Sequence, residues 1–247
     1  MDAIDLASPS VRCQANAVTV HSSSFSLRAP HGEIVGVRLL EDDLERVHEH
    51  PALHPDEARR ASELRGARRT GFVAGRLALS RALSALGAPR VAIGSDDRGA
   101  PTLPNGFIGS ISHKGALGVA LVALDEGERV GVDVELVKEL REGVERLVLT
   151  EGERARLGPD RARVVLASFS VKESIYKAID PFVRRWVGYH EAVVELPDER
   201  AMREGFAPVK VSLSLANGER IDRLEAFVTE RDGHYLSTAR ARSHSPS

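Results

Sequence analysis

The sequence predicts an α+β protein built from two similar halves, each a small antiparallel sheet packed with helices. Three observations lead there. A helical stretch followed by strands occurs twice along the 247 residues. The strand segments either alternate apolar with polar residues or run apolar for four to eight positions, while the helical segments carry the longer period. Gly-, Pro- and Asp-rich breaks separate them. No repeat is visible in the sequence itself. The halves are read as residues 1–126 and 127–240, related by a pseudo-twofold axis with the active site at their junction, and 241–247 as a flexible tail.

Taken in order, residues 1–30 are Ser-rich and weakly patterned: a mobile leader at 1–16 and a short strand near 17–20 are expected. Residues 33–40 alternate as a strand. Pro55 and Asp56 open a helical stretch that runs, with one break near Gly66, to about Leu86. Leu64, Phe72, Val73, Leu77, Leu79 and Leu83 suit its buried side, and Gly87-Ala88-Pro89 stops it. Residues 94–107 read as a loop. After residues 110–113 comes the continuous apolar run 117–124, then the turn signal Asp125-Glu126-Gly127-Glu128 and a returning strand at 130–136, which together read as a hairpin.

Residues 147–156 and 161–178 are expected helices. Thr150 and Glu153 have capping-box spacing, and Pro181 should close the second helix. Strand candidates follow at 191–196, 208–215, 225–229 and 234–238, with Gly218 marking a turn. From Ala239 the Arg, Ser and Pro content predicts fraying.

Bulk properties narrow the function. A net charge of -2 argues against a general nucleic-acid binder. The single cysteine, Cys13, rules out an intramolecular disulfide and a Cys-based zinc site. Asp2 and Asp5 are wrong for the start of a secretory signal, and no run approaches the roughly 20 apolar residues of a membrane span. A soluble cytoplasmic protein is expected.

The chemistry concentrates in two segments. In Gly131-Val132-Asp133-Val134-Glu135 the strand period places both carboxylates on one face, expected to be exposed opposite Val130, Val132, Val134 and Leu136. In the segment from Phe169 to Lys177, Glu173 and Lys177 stand one helical turn apart, while Val171 and Ile175 give an apolar side and Phe169 and Tyr176 aromatic contacts. Asp133, Glu135 and Glu173 together with phosphate oxygens and water would complete the octahedral shell of Mg²⁺. Glu173 is the better placed general base. Bland alternatives stand beside this: a solvated acidic face, and a helical salt-bridge set of Lys172, Glu173 and Lys177 worth about 0.3–0.5 kcal/mol per pair.

Seven arginines (59, 60, 65, 68, 69, 76 and 81) fall in the first helical region. Arg65, Arg68, Arg69 and Arg76 can share a side, whereas Arg81 turns away. Their forked guanidinium groups suit phosphate, although a solvated basic face explains many such runs. His113 reads either as a structural hydrogen-bonder or as a phosphate ligand. A Ser112–His113 nucleophilic pair is disfavoured because neighbours on a strand face opposite ways.

With these residues in view, the chain resembles the 4′-phosphopantetheinyl transferases of the Sfp type over about residues 55–180. Four family signatures recur in order. Residues 131–135 match a Gly-hydrophobic-Asp-hydrophobic-Glu strand, and 169–177 an aromatic-x-x-Lys-Glu-x-x-x-Lys helix with Phe169 where Trp is usual. Ser112-His113 follows Gly99-Ala100-Pro101, where the family has Gly-Lys-Pro, and Gly75-Arg76 lies in a basic helix. The resemblance implies Mg²⁺-dependent transfer of the phosphopantetheine arm of coenzyme A to a serine of an apo acyl- or peptidyl-carrier protein, releasing adenosine 3′,5′-bisphosphate. It implies Asp133, Glu135 and Glu173 on the metal, and Lys177 assisting departure of the bisphosphate. Lys172 would support the phosphate site, and Arg68, Arg76, Ser112 and His113 would lie near the 3′-phosphate. Gly99 to Pro101 would line the adenine pocket. The implied oligomeric state is a monomer.

Two departures from the pattern, Ala100 for Lys and Lys114 for a small polar residue, bear on affinity. Two other classes stand as alternatives: a non-catalytic coenzyme A or carrier-binding module, and a nucleic-acid binder using the Arg-rich helix. The overall acidity and low aromatic content oppose the latter.

Overall fold

The computed structural model describes residues 22–40 and 44–243. Strands β1 (Ser22–Ala29) and β2 (Gly32–Leu39) form a hairpin that closes at Ala29 opposite Gly32. Helices α1 (Pro55–Glu63) and α2 (Gly66–Ala85) follow, broken where Leu64 and Arg65 are extended and Gly66 takes φ 50°. A two-residue ladder, β3 (Gly94–Ser95) with β4 (Pro101–Thr102), precedes β5 (Phe107–Lys114) and β6 (Leu117–Leu124), which pair as a second hairpin. β6 lies between β5 and β2, giving the sheet order β1-β2-β6-β5.

β7 (Arg129–Leu136) opens the second half. It leads to α3 (Val144–Val148), α4 (Glu151–Arg154) and the long α5 (Arg161–Val183). β8 (Ala192–Glu195), α6 (Glu199–Glu204), β9 (Ala207–Leu213), β10 (Arg223–Arg231) and β11 (His234–Arg242) complete it. The second sheet runs β7-β11-β10-β9-β8, all antiparallel. One connectivity is used twice: strand, long helix, then a hairpin whose last strand lies beside the first, as β2, α2, β5, β6 and as β7, α5, β10, β11.

Each long helix packs on its sheet through its apolar face. Val73, Ala74, Leu77 and Ala78 of α2 meet Val35, Val37, Ala120 and Val122, and Val171, Ile175, Ala178 and Ile179 of α5 meet Val228, Tyr235 and Ala239. A third cluster joins the halves: Ile34, Val119 and Leu121 from the first sheet with Val130, Val132, Val134 and Leu236 from the second. At roughly 1.5–3 kcal/mol for each large apolar side chain buried, this shared cluster holds the two sheets as one body. Glycine permits the closest approaches: a Cβ on Gly118 would stand 2.3 Å from Ala74 C of α2, and one on Gly131 1.9 Å from Ser174 O of α5. Among the described residues no helix is long and apolar enough to cross a membrane.

Several expectations need correction. The segment 130–136 is not the return of a hairpin with 117–124: β6 takes β5 and β2 as its neighbours, and the turn at 125–128 carries the chain into the other sheet, where β7 pairs with β11. Leu136 is exposed rather than buried. Ser22 to Ala29, read within a weakly patterned leader, is a strand whose serines lie along an exposed sheet edge. The expected leader 1–16 and strand 17–20 lie outside the described residues. Pro181 sits within the last turn of α5, which continues to Val183. The tail begins later than read, since β11 holds its pairing through Arg242. The helix expected over 147–156 is two short helices, parted at Leu149 and Thr150.

Candidate functional site

β5 and β7, the edge strands of the two sheets, lie against each other, and Asp133 stands in the seam. The Ser112 hydroxyl donates to Asp133 Oδ1 at 2.7 Å, and Lys177 Nζ donates to the same oxygen and to Val132 O, both at 2.9 Å. Gly131 brings α5 onto β7 closely enough for Lys177 to make both contacts. Asp133 is 4 % exposed, and its Oδ2 is buried without a hydrogen-bond partner among the described residues. The acidic face of β7 is thus interior, not exposed as expected, because β5 covers it.

Glu135, next on that face, is ion-paired with Lys114. Burial raises its carboxyl above the usual range, and the Lys114 pairing opposes that shift. Glu173 accepts a hydrogen bond from the Tyr189 hydroxyl at 2.5 Å. The three carboxylates are therefore spoken for separately, and among the described residues no group of three His, Cys, Asp or Glu stands ready to hold a metal ion. The expected shell drew on phosphate oxygens and water beside these three acids, and an all-protein cage was not part of it. Asp133 Oδ2 is nevertheless an unsatisfied buried carboxylate oxygen, the kind of donor Mg²⁺ takes. Mg²⁺ usually needs only one or two carboxylates beside substrate phosphates, so the donor set fits the ion.

In front of this seam opens a cleft of about 1190 Å³, walled by α1, α2, the 95–101 loop, β5 and the end of α5. Of the expected residues, Arg68, Arg76, Gly99, Pro101, His113, Glu173 and Lys177 line it. Ser112 and Asp133 form the wall behind. Gly71 and Gly75 of α2 allow β5 to approach: a Cβ on Gly71 would come within 2.6 Å of His113 Nδ1. Burial first, and the Lys177 and Lys114 charges next, hold the His113 imidazole below its ordinary pKa; Asp133 works the other way. Arg76 is 6 % exposed, donates from Nη2 to Gly94 O and Ser95 Oγ, lies 5.1 Å from the Phe72 ring centre, and leaves Nη1 without a partner among the described residues.

Three residues are not where the sequence put them. Lys172 is fully buried, its ammonium donating to Val148 O, Glu153 Oε2 and Tyr189 O, so it is a strut beneath the site and not a phosphate contact. Arg65 and Arg69 face a separate depression beside Gly115 and Ala116, with Arg69 donating to Leu64 O and Glu45 O. Arg65 precedes the break at Gly66, and Arg69, within α2, points about 100° away from Arg68.

Two features of the site belong to no motif in the sequence. Tyr189 carries no motif; its only signal was the aromatic spacing of Phe169 and Tyr176, whose rings lie 5.5 Å from it. Across the mouth of the cleft, Arg98 binds Asp180 through two nitrogens at 2.5 and 2.7 Å, and Arg184 binds Asp97 at 2.9 Å.

Residues 56–123 match the family model of the 4′-phosphopantetheinyl transferase N-terminal domain, and residues 129–221 match that of the 4′-phosphopantetheinyl transferase superfamily. The chain is 30 % identical over 180 residues to 4′-phosphopantetheinyl transferase Svp of Streptomyces mobaraensis, covering 70 % of this chain and 72 % of that protein. The chain belongs to the 4′-phosphopantetheinyl transferase superfamily. It is also 37 % identical over 142 residues to 4′-phosphopantetheinyl transferase Npt of Nocardia iowensis and 33 % over 146 residues to 4′-phosphopantetheinyl transferase PptT of Mycobacterium tuberculosis. Each of these two matches covers 56 % of this chain, and they span 64 % and 63 % of the relatives' own lengths. The two matched stretches lie on either side of the β6–β7 crossing, where the chain leaves one sheet for the other.

Proposed function

We propose that this protein transfers the 4′-phosphopantetheine arm of coenzyme A to a serine hydroxyl of an apo acyl- or peptidyl-carrier protein, with Mg²⁺, and releases adenosine 3′,5′-bisphosphate. The observation that carries the reading is the convergence of Arg68, Arg76, His113 and Lys177 on the cleft that Glu173 also enters, with Asp133 directly behind Lys177. A cationic pocket of that size suits a ligand bearing a pyrophosphate and a further phosphate.

Asp133, through Oδ2, together with Glu135 and Glu173, would hold the metal, which when bound neutralises pyrophosphate charge. The carrier serine oxygen attacks the phosphorus that bears the pantetheine, and its proton passes to the Glu173 carboxylate. The phosphorus–oxygen bond to the departing bisphosphate breaks as the new one forms, and the Lys177 ammonium stabilises the charge left on the leaving oxygen. Arg68, Arg76 and His113 bind the nucleotide end, and the backbone of residues 99–101 lines the base pocket. We read the two halves as pseudo-twofold copies with the active site between them. Because one chain supplies both walls, a self-sufficient cytoplasmic monomer belongs to the same reading.

Incubation with coenzyme A, Mg²⁺ and a panel of apo carrier proteins, followed by intact-mass measurement, tests this. The expected result is a gain of one phosphopantetheine mass, abolished by chelator. Folded protein that binds coenzyme A yet modifies no carrier would instead mark a binding module.

A further inference from the structure

We infer that Tyr189 is a positioning residue for the reaction: its hydroxyl holds the Glu173 carboxylate toward the cleft, and Lys172 holds Tyr189. The inference rests on the transferase reading, which makes Glu173 the base. Glu173 projects from α5 into open space, and a glutamate there has three free torsions to lose. The short bond from the Tyr189 hydroxyl occupies Oε1, so Oε2 is the oxygen left to serve the metal and the serine proton. Tyr189 itself is held firmly. Phe169, Tyr176 and Trp186 surround its ring at 5.5, 5.5 and 6.5 Å. Its carbonyl accepts from the buried Lys172 ammonium at 3.0 Å, and the Tyr176 hydroxyl donates to the preceding carbonyl, Gly188 O, at 2.8 Å.

The same ammonium is anchored by Glu153 Oε2 at 2.8 Å, and Glu153 is fixed in turn by the backbone amides of Thr150 and Val194. A continuous path of hydrogen bonds thus runs from the α4 cap through Lys172 and Tyr189 to Glu173. Residues 172 and 173 are adjacent on α5, one fastening the 187–191 segment from below and the other receiving its tyrosine from above. That arrangement gives the Lys-Glu pair of the helix two distinct tasks. Rigid support of this kind is what keeps a reacting group within the narrow geometry that catalysis requires.

The test is Tyr189→Phe, which keeps the ring and removes only the hydroxyl. Its kcat should fall roughly tenfold or more, with the KM for coenzyme A within about twofold of wild type and an unchanged melting temperature. A crystal structure of the variant should show the Glu173 side chain spread over more than one rotamer. In the Glu173→Asp background, whose shortened carboxylate no longer reaches the hydroxyl, adding Tyr189→Phe should cost nothing further. Wild-type kcat in Tyr189→Phe, a single well-ordered Glu173 rotamer, or additive losses in the double variant would each overturn the assignment. Failure of the wild-type protein to modify any carrier would instead remove the transferase reading, and the rotamer measurement would still report on the Tyr189–Glu173 contact.

Discussion

Ser112 and Asp133, on the facing edge strands of the two sheets, share a hydrogen bond of 2.7 Å that crosses between the halves. It joins them where, among the described residues, neither strand has a ladder partner on that side. Removing the hydroxyl leaves a buried carboxylate with one donor fewer. Ser112→Ala should lower stability by about 1–3 kcal/mol, measured by urea unfolding, and should also reduce turnover because Asp133 loses one of the two donors that orient it.

Asp133→Asn keeps the side-chain shape and removes the charge. We expect turnover to fall by roughly a hundredfold or more while thermal unfolding remains a single cooperative transition. Asp133→Ala is the less informative variant, since it also opens a buried gap and strands the Lys177 ammonium. An Asp133→Asn protein with wild-type turnover would remove Asp133 from the chemistry.

Lys172→Met breaks a buried pair and leaves Glu153 without its cation. Loss of one partner of such a pair costs about 3–5 kcal/mol, read as a drop in the denaturant midpoint. Burial by itself would raise the Glu153 carboxyl, but the bonds from Lys172, Val194 and Thr150 outweigh it and hold it below the usual range. The paired variant Lys172→Met with Glu153→Gln should recover a substantial part of the loss, which a simple packing defect would not allow.

Arg76→Ala should raise the KM for coenzyme A about tenfold with a smaller effect on kcat, in steady-state assays against coenzyme A. Arg65→Ala, on the other side of the helix break, should leave both constants unchanged. Equal effects of the two would mean that the cleft does not select among these arginines.

His31, in the β1–β2 turn, is 1 % exposed, packs edge-on to Phe227 at 5.2 Å, and has no hydrogen-bond partner among the described residues on either ring nitrogen. Burial first, with Arg240 and Arg223 adding repulsion and Glu225 opposing, lowers its pKa from 6.5 to about 4. The unfolded chain therefore binds this proton more readily than the folded one. The neutral ring's contribution is complete above pH 6.5 and is lost as pH falls toward 4, up to about 3 kcal/mol. Denaturant titrations across that window should show the decline, and His31→Leu should flatten it.

Much of the architecture was legible in the sequence. The continuous apolar run at 117–124 marks a strand buried on both faces, and the break at Gly66, the Thr150–Glu153 cap and the turn at Gly218 all stand where residue chemistry placed them. Strand partnership was not legible, because an acidic turn at 125–128 serves equally to close a hairpin or to cross between sheets. The serines of β1 hid a strand whose outward positions face water. At the site, spacing located Asp133, Glu173 and Lys177, but burial of the acidic face depends on β5, whose position relative to β7 has no local signal. Lys172 misled for a related reason: helical spacing fixes its direction, not the loop carbonyls that wait there. Tyr189 left only the aromatic spacing of Phe169 and Tyr176 as a trace, because its contact to Glu173 is purely tertiary.

The arginine–aspartate exchange over the cleft mouth has a consequence of its own. Each half lends one cation and one anion, so the rim is electrically self-complementary and sits near solvent, where dissolved ions weaken it. Rising ionic strength should loosen both bridges and screen the cationic cleft behind them together, so capture of a highly anionic molecule should slow as well as weaken. Reversing both charges of one bridge would keep the tie between the halves, whereas reversing a single charge would turn it into repulsion.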